Sequence, residues 1–327
     1  MPLDDKKPTL VLVATGGTIS MVWDAKQGTS VPALKAADLL ARSSYTPNIT
    51  VRAIDLDYNT GKIEHLLSLA RCLRETGDSQ VDGIVVTHGT DALEEVAYGI
   101  DEVLAAPVPI VFTGAMRPNW ASDFDGISNL NNAISLATTT SSAYGVLVTM
   151  NNDIFEAWSV YKSDTTALDA FAARRGAPYG GILGDRVSCP WKPTLRKRFA
   201  RIPESLPASV PILMMGIADD GSLLNKLSET SLHGLVVAGM ATGTIPPTAR
   251  KRVLQLAARG VPVVLCSSAV SGTTADERYY PHAYDDLHNA GVVIENWLSP
   301  RKARIRLMLS LALHEPYVPF GEGLSIA

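Results

Sequence analysis

Two short segments place threonine side chains beside glycines, each directly after a run of apolar residues. The first, Thr15-Gly16-Gly17-Thr18, follows the run 9–14, and the second, residues 87–91, follows Ile84-Val85-Val86. Paired glycines permit a tight turn and a close backbone approach, which would expose Thr18. A threonine hydroxyl is a weak nucleophile until a neighbouring base accepts its proton. We therefore interpret Thr18 as a candidate catalytic residue; the alternative is a nucleotide-binding turn, although a GxGxxG pattern is missing.

The second segment continues as Gly89-Thr90-Asp91, followed by Glu94. The spacing of Asp91 and Glu94 fits a capping box, which by itself would explain both acids. A helix beginning here also offers unpaired N–H groups to an anion or a developing oxyanion. Capping and catalysis are compatible at this position, and both interpretations stay open.

Two further segments carry polar candidates. Ala115, after the run 108–113, can offer a backbone carbonyl to a ligand, and Asp125 can cap the helix that follows it. Lys162 lies in the polar segment 161–166, where a lone lysine is usually a solvent-facing charge. Whether Lys162 takes part in chemistry therefore depends on the side chains that the fold places beside it.

The elements that must position these residues follow from alternating patterns. Apolar runs at 9–14, 49–54, 83–87, 108–113 and 145–150 predict buried parallel strands, and helical patterns lie between them. We predict an α/β fold with a doubly wound, mainly parallel sheet in a larger N-terminal domain. In such sheets, sites form at the carboxyl ends of the strands.

A change of composition marks the domain boundary. Prolines at 178, 190, 193, 203, 207 and 211 predict a hairpin followed by a linker. The α/β alternation then resumes. We predict an N-terminal catalytic domain over residues 1–190, a linker over 191–211 and a smaller α/β domain over 212–327.

Composition excludes several function classes. The net charge of the 327 residues is −4, and the basic residues between 192 and 201 are interpreted as a solvated face, which disfavours nucleic acid as a partner. No apolar run reaches the roughly 20 residues of a membrane helix. The polar start lacks a secretory signal, and three scattered cysteines do not predict a disulfide framework or zinc site. We expect a cytoplasmic protein without a metal.

Together the motifs resemble the bacterial L-asparaginase/glutaminase family. The resemblance rests on ATGGTIS (14–20), VVTHGTDALEE (85–95), TGAMRP (113–118) and the stretch 125–133, in the family's order and spacing. It implies that Thr18 is the nucleophile of an acyl-enzyme, and that Thr90, Asp91 and Lys162 activate a hydroxyl or water and relay protons. It also implies a reaction without metal or organic cofactor, and a homotetramer built as a dimer of dimers, with each site completed by a neighbour.

The sequence departs from the family where substrate is recognised. The lid segment 21–31 contains Trp23 instead of a tyrosine, and Asp55 aligns with the serine that holds the substrate's α-carboxylate. Thr244 and Glu277 are the nearest candidates for the family's asparagine and glutamate from the C-terminal domain. Because an aspartate repels a carboxylate, we predict a small amide or lactam substrate without an α-carboxylate at Asp55.

The predicted substrate-binding residues are Asp55, Gly89 and Ala115. A slip of the alignment would instead leave an ordinary asparaginase. Two other classes stay open, a non-catalytic small-molecule sensor and, ranked last, a dehydrogenase. Retention of the threonines, the aspartate and the lysine argues against a sensor, since binding alone does not need a proton relay.

Overall fold

The structure, a computed structural model, describes residues 7–44, 49–57, 62–174, 176–184, 186–194, 196–228 and 230–321. The chain divides into two compact units, Met1–Thr194 and Leu195–Ala327. The division falls inside the segment 191–211 for which the sequence predicts a linker. The exact extent of that linker stays a prediction.

The first unit alternates strands and helices through most of its length. Its strands and helices in chain order are β1 (Thr9–Ala14), β2 (Met21–Asp24), β3 (Thr29–Pro32), α1 (Ala36–Leu40), β4 (Thr50–Asp55), α2 (Glu64–Gly77), β5 (Gly83–Thr87), α3 (Leu93–Val103), β6 (Ile110–Thr113), α4 (Gly126–Thr139), β7 (Val146–Met150), β8 (Asp153–Glu156), β9 (Val160–Lys162), β10 (Phe171–Ala173), β11 (Gly180–Leu183) and β12 (Arg186–Ser188).

The central sheet has the spatial order β12-β11-β8-β7-β6-β5-β1-β4. Strands β4, β1, β5, β6 and β7 run parallel, and β8, β11 and β12 extend the sheet antiparallel. The chain passes from β1 to β4 on one side and then from β5 outwards on the other. Its direction through the sheet therefore reverses beside β1, and ligands of such folds bind at the carboxyl ends of the strands there.

Apolar side chains cover both faces of this sheet. On β1, Leu10 and Leu12 join the core cluster beneath α1 and α4, while the alternate residues Val11 and Val13 are also fully buried. Helix α4 contributes Leu130, Ala133, Ile134 and Ala137, the spacing of one helical stripe. This two-sided burial explains the continuous apolar runs and confirms the predicted doubly wound α/β class.

The second unit is smaller and also α/β. Its elements in chain order are β13 (Ile212–Met214), α5 (Ser222–Ser228), β14 (Leu235–Gly239), α6 (Pro247–Ala258), β15 (Val263–Ser267), α7 (Asp285–Asn289), β16 (Val293–Glu295) and α8 (Pro300–Leu313). The four strands form a parallel sheet in chain order. In the part of the chain that the structure describes, no helix has the length and apolarity needed to cross a membrane.

Candidate active site

The turns after β1 and β5 are in direct backbone contact. Gly17 has a φ of 84°, and a Cβ added there would lie 2.5 Å from the backbone N and Cα of Gly89. Only a glycine at position 17 permits this approach. The neighbouring Thr15 reinforces it, because its backbone N–H and its hydroxyl both donate to the carbonyl of Thr87, at 3.0 and 2.9 Å.

Thr18 begins a 3₁₀ turn, Thr18–Ser20, immediately after Gly17. Its side chain is partly buried, so the hydroxyl is neither sealed in the core nor fully in solvent. Thr90 follows Gly89 in the same way on the facing turn. The contact between the two glycines thus brings together the turns that carry both threonines.

Lys162 belongs to this site and is not the solvent-facing charge that its local sequence suggests. Its Nζ donates to Thr90 Oγ1 at 2.9 Å, and its side chain is 17% exposed. Thr90 itself is buried. A hydroxyl hydrogen-bonded to an amine can pass its proton along that bond when the amine is neutral, which is the geometry that activates a nucleophilic hydroxyl.

The predicted capping box of Asp91 and Glu94 is wrong. Helix α3 begins at Leu93 with Ala92 at its N-cap position, so Asp91 lies one residue too early. Asp91 Oδ1 lies instead 3.6 Å from Lys162 Nζ, on an almost fully exposed side chain. This ion pair is solvent-screened, so its main effect is to bias the orientation of the lysine and not to stabilise the fold.

Glu94 has a role that the sequence did not reveal. Its Oε2 accepts the backbone N–H of Lys162 at 2.7 Å, and the residue is buried. The same helical start therefore presents Thr90 to the lysine's side chain and Glu94 to the lysine's backbone. We call Thr90, Asp91, Glu94 and Lys162 the Thr90 cluster. In the sequence, the only signal for this role was the pair of acids near the start of the helix, and their spacing had been interpreted as a capping box.

His88 lies beneath the turn that carries Thr90. Its ring is buried, and Nδ1 is 2.8 Å from the carbonyl of Gly89. Burial lowers the pKa of His88 to about 4, against the opposing effects of the Gly89 hydrogen bond and the Asp91 charge. The imidazole is therefore neutral near pH 7 and supports the turn as a structural residue.

The turn after β6 is held by Asp125. Its carboxylate accepts the backbone N–H groups of Met116 and Arg117, at 3.0 and 2.9 Å, and the side-chain amide of Asn129. Asp125 does occupy the predicted N-cap position of α4, but its carboxylate makes no capping hydrogen bond and reaches back across the turn instead. Ala115, in the same turn, is buried. Its proposed contact with a ligand stays a prediction.

The lid segment after Thr18 has regular secondary structure. It forms the antiparallel hairpin of β2 and β3. Trp23 packs edge-to-face on Trp120 with ring centroids 5.7 Å apart, and Trp120 Nε1 donates to Ser30 Oγ at 2.9 Å. The aromatic side chain at position 23 is thus engaged with the turn after β6.

Asp55 ends β4 beside the turn that carries Thr18. Its Oδ1 accepts the N–H of Ala36, the first residue of α1, at 2.9 Å. It also lines a cavity of about 370 Å³ at the carboxyl ends of β1 and β4, which lies within the usual size range of small-molecule sites. Whether it occupies the position of a carboxylate-binding serine stays a prediction.

Two predicted residues lie in the second unit. Thr244 follows β14 and forms an isolated bridge with Met240, and the carboxylate of Glu277 lies 3.7 Å from His288 Nε2. Their predicted contribution to a neighbour's site stays a prediction. Among the described residues, no three His, Cys, Asp or Glu side chains are grouped closely enough to hold a metal ion.

Sequence and structure comparisons match nearly the whole chain. The Asparaginase, N-terminal family matches residues 9–195, and the Glutaminase/Asparaginase C-terminal domain matches residues 209–317. L-asparaginase 2 of Bacillus subtilis is 32% identical, over 93% of this chain and 82% of its own. The probable periplasmic L-asparaginase of Haemophilus influenzae is also 32% identical, over 93% and 88%.

A solved structure is similar over almost its full length. The probable cytoplasmic L-asparaginase of Campylobacter jejuni superposes with a TM-score of 0.79 at 29% identity, covering 96% of this chain and 97% of that one. Fold, strand-end site and comparisons together define an amidohydrolase, an enzyme that cleaves the C–N bond of an amide. The chain belongs to the L-asparaginase/glutaminase family.

Proposed function

We propose that this enzyme hydrolyses a small carboxamide in two steps through an acyl-threonine. Thr18 Oγ attacks the carbonyl carbon and gives its proton to a neighbouring base, which passes the proton to the amide nitrogen. The C–N bond then breaks, and the nitrogen leaves as ammonia or, from a lactam, stays attached to the acyl group as an amine. Water next attacks the ester, returns a proton to Thr18 and releases the carboxylic acid. Splitting one difficult hydrolysis into two easier steps is the advantage of a covalent intermediate.

The hydrogen bond between Lys162 Nζ and Thr90 Oγ1, at 2.9 Å, is the observation that carries the proposal. It joins a strand-end hydroxyl to an amine across a gap of 72 residues in sequence. In this scheme Thr90, Asp91 and Lys162 relay the proton that the attacking hydroxyl or water gives up. Such general acid–base assistance contributes roughly 10²–10⁴-fold to a rate.

Backbone groups of the two turns complete the proposed site. N–H groups near Thr18 and Thr90 stabilise the oxyanion of the tetrahedral intermediate, an effect often about 3–4 kcal/mol per donor. Gly89 and Ala115 hold the substrate through their backbones. The contact between Gly17 and Gly89 supports this arrangement, because both turns then border the same space.

The proposed substrate is an amide or lactam without an α-carboxylate beside Asp55. The exposed carboxylate at the end of β4 supports this choice, since like charges repel there. The second candidate is ordinary hydrolysis of L-asparagine or L-glutamine, which the names of the relatives favour.

We also propose that the enzyme is a cytoplasmic homotetramer, a dimer of dimers whose sites are completed by a neighbour's C-terminal domain. The family resemblance supports the assembly, and the name of the Campylobacter jejuni protein supports the location, whereas the Haemophilus influenzae relative is named periplasmic. Sedimentation analysis tests the assembly, and a monomer at micromolar concentration would contradict it.

Ammonia release from L-asparagine, D-asparagine and L-glutamine, together with ring opening of a panel of lactams followed by NMR, tests the function. We expect turnover that is abolished by Thr18→Ala and by Thr90→Val, because each variant loses one hydroxyl; valine also keeps the shape of the threonine side chain at the buried position 90. Strong activity on L-asparagine would reject the substrate without an α-carboxylate. Absence of turnover on a broad amide panel would reject hydrolysis in favour of a small-molecule sensor.

A further inference from the structure

Asn129 is a buried amide that joins the ends of two neighbouring strands. It lies on the first turn of α4 and is 2% exposed. Its Nδ2 donates to the carbonyl of Gly114, after β6, and its Oδ1 accepts the N–H of Asn151, after β7, both at 3.1 Å. Nδ2 also donates to Asp125 Oδ2, at 2.9 Å. The reverse orientation would set the amide oxygen against a carbonyl and a carboxylate, so these hydrogen bonds fix a single orientation.

Asp125 and Asn129 act on the same turn because they are four residues apart at the start of one helix. Such residues share a face, and here both side chains reach the turn after β6, where Asp125 accepts the N–H of Met116 at 3.0 Å. A peptide group is planar, and none of the described ones is cis. Holding the carbonyl of Gly114 and the N–H of Met116 therefore restricts both peptide groups of Ala115. The carbonyl of Ala115 points opposite to the Met116 N–H, away from Asp125.

The same turn packs directly on the segment that carries Thr90. A Cβ added at Gly114 would lie 2.7 Å from the carbonyl oxygen of His88 and 3.4 Å from Cγ2 of Thr90. The N–H of His88 also donates to the carbonyl of Thr113, at 2.9 Å. Ala115 follows Gly114 in the chain, so the restricted carbonyl lies next to the Thr90 cluster.

We propose that Asn129 and Asp125 are positioning residues for amide cleavage, because they direct the carbonyl of Ala115 towards the N–H of the substrate's amide. This inference rests on the proposed function, in which Ala115 holds the substrate through its backbone. A carbonyl can only accept a hydrogen bond, so it selects a substrate that offers an N–H. The amide nitrogen takes up a proton before it leaves, and its N–H groups then become stronger donors. The contact therefore strengthens in the transition state.

Paired substrates with and without an N–H test the proposal. Each amide that the enzyme hydrolyses is compared with the methyl ester of the same acid, which for L-asparagine is the β-methyl ester of L-aspartate. A lactam is compared with the lactone of the same ring. Both members of a pair form the same kind of acyl-threonine, but the ester offers no N–H to Ala115. The ratio of the two kcat/KM values is measured, since it does not depend on the fraction of folded enzyme.

We expect a selective loss of amide cleavage in Asn129→Ala. The value of kcat/KM for the amide should fall roughly tenfold, the effect of about one hydrogen bond to a charged group. For the ester, kcat/KM should stay within about twofold or rise, because the ester oxygen has no donor that the carbonyl could accept. The acid released from each substrate is followed by NMR, so that both reactions are measured in the same way.

A second variant and a matched control locate the effect. Asp125→Asn removes no buried volume and keeps one oxygen for the N–H of Met116, so we expect the same selective loss at about threefold. This variant keeps the test valid if Asn129→Ala does not fold. Asn132→Ala is the control, because Asn132 lies on the same helix but donates to Asn152 Oδ1, at 2.9 Å, in the turn between β7 and β8. It should leave the ratio unchanged.

The positioning role and the proposed function fail separately. Equal losses on amide and ester in Asn129→Ala and Asp125→Asn would overturn the positioning role, because the residues would then support only the fold. The same selective loss in Asn132→Ala would also overturn it. In both cases the hydrolase stands. If the unmodified enzyme hydrolyses no amide of the panel, the proposed function falls, and the positioning role falls with it.

Discussion

The Thr90 cluster and the cavity at the carboxyl ends of β1 and β4 lie at neighbouring strand ends but differ in how their polar groups are satisfied. In the cluster, Thr90 and Glu94 are buried, and Lys162 is bonded through both its side chain and its backbone. In the cavity, the charged side chains are exposed, and the buried hydroxyl of Ser20 has no partner among the described residues. A group already satisfied by protein is suited to fixed proton transfer, whereas an unsatisfied acceptor is suited to a ligand.

The most direct way to break this comparison is Lys162→Met. Methionine keeps much of the length but removes the amine that donates to Thr90, so we expect kcat to fall roughly 10³-fold, with little change in KM. Steady-state ammonia release measures both constants. Lys251→Met, on an exposed lysine of α6, is the matched control. A large rise in KM would show that the lysine also contributes to substrate binding.

His88 tests whether burial keeps the imidazole beneath the Thr90 turn uncharged. Because burial lowers its pKa to about 4 from 6.5, the unfolded chain binds this proton more readily than the folded one. The contribution of neutral His88 to the free energy of unfolding is complete above pH 6.5 and is lost as pH falls towards and through 4. At pH 5 the loss amounts to about 2 kcal/mol.

We therefore expect the free energy of unfolding to fall between pH 7 and pH 5 by about 2 kcal/mol more in the wild type than in His88→Gln. Denaturant titrations at both pH values measure this difference, and the other titrating groups are common to both proteins. Parallel pH dependence in the two proteins would mean that the ring is not held neutral by burial.

Glu94→Gln sharpens the comparison within the cluster itself. The buried carboxylate accepts the backbone N–H of Lys162, and an amide is a weaker acceptor, so the lysine is held less firmly over Thr90. We expect kcat to fall roughly tenfold while KM stays constant, since positioning acts on the chemical step. Glu95→Gln, one residue along α3, is the control. A rise in KM with unchanged kcat would assign Glu94 to substrate binding.

The smallest effect is expected at the hairpin of β2 and β3, which follows the turn of Thr18. Trp120→Phe keeps an aromatic ring against Trp23 and removes the hydrogen bond from Nε1 to Ser30. Because this bond is exposed, its loss should lower stability by less than about 1 kcal/mol. Thermal unfolding measures the change, and a loss of several kcal/mol would show that the hairpin is integral to the core.

Several features of the site followed from local sequence. The glycines of the first turn predicted a close backbone approach, and Gly17 does meet Gly89. The apolar runs predicted the parallel strands, because a strand buried on both faces needs apolar residues at successive positions. The order of the motifs predicted the family. Each of these depends on residues that are adjacent in the chain, so the sequence displays them directly.

What only the tertiary structure decided are the partners of the charged residues. Asp91 and Glu94 fit a capping box by spacing, yet both face Lys162, which is about 70 residues away in sequence and brought near by β9. Asp125 likewise fits a cap but holds the turn after β6. A carboxylate accepts any suitably placed N–H, and local spacing shows only the nearest ones; the strand order of the sheet determines which distant donors reach it first.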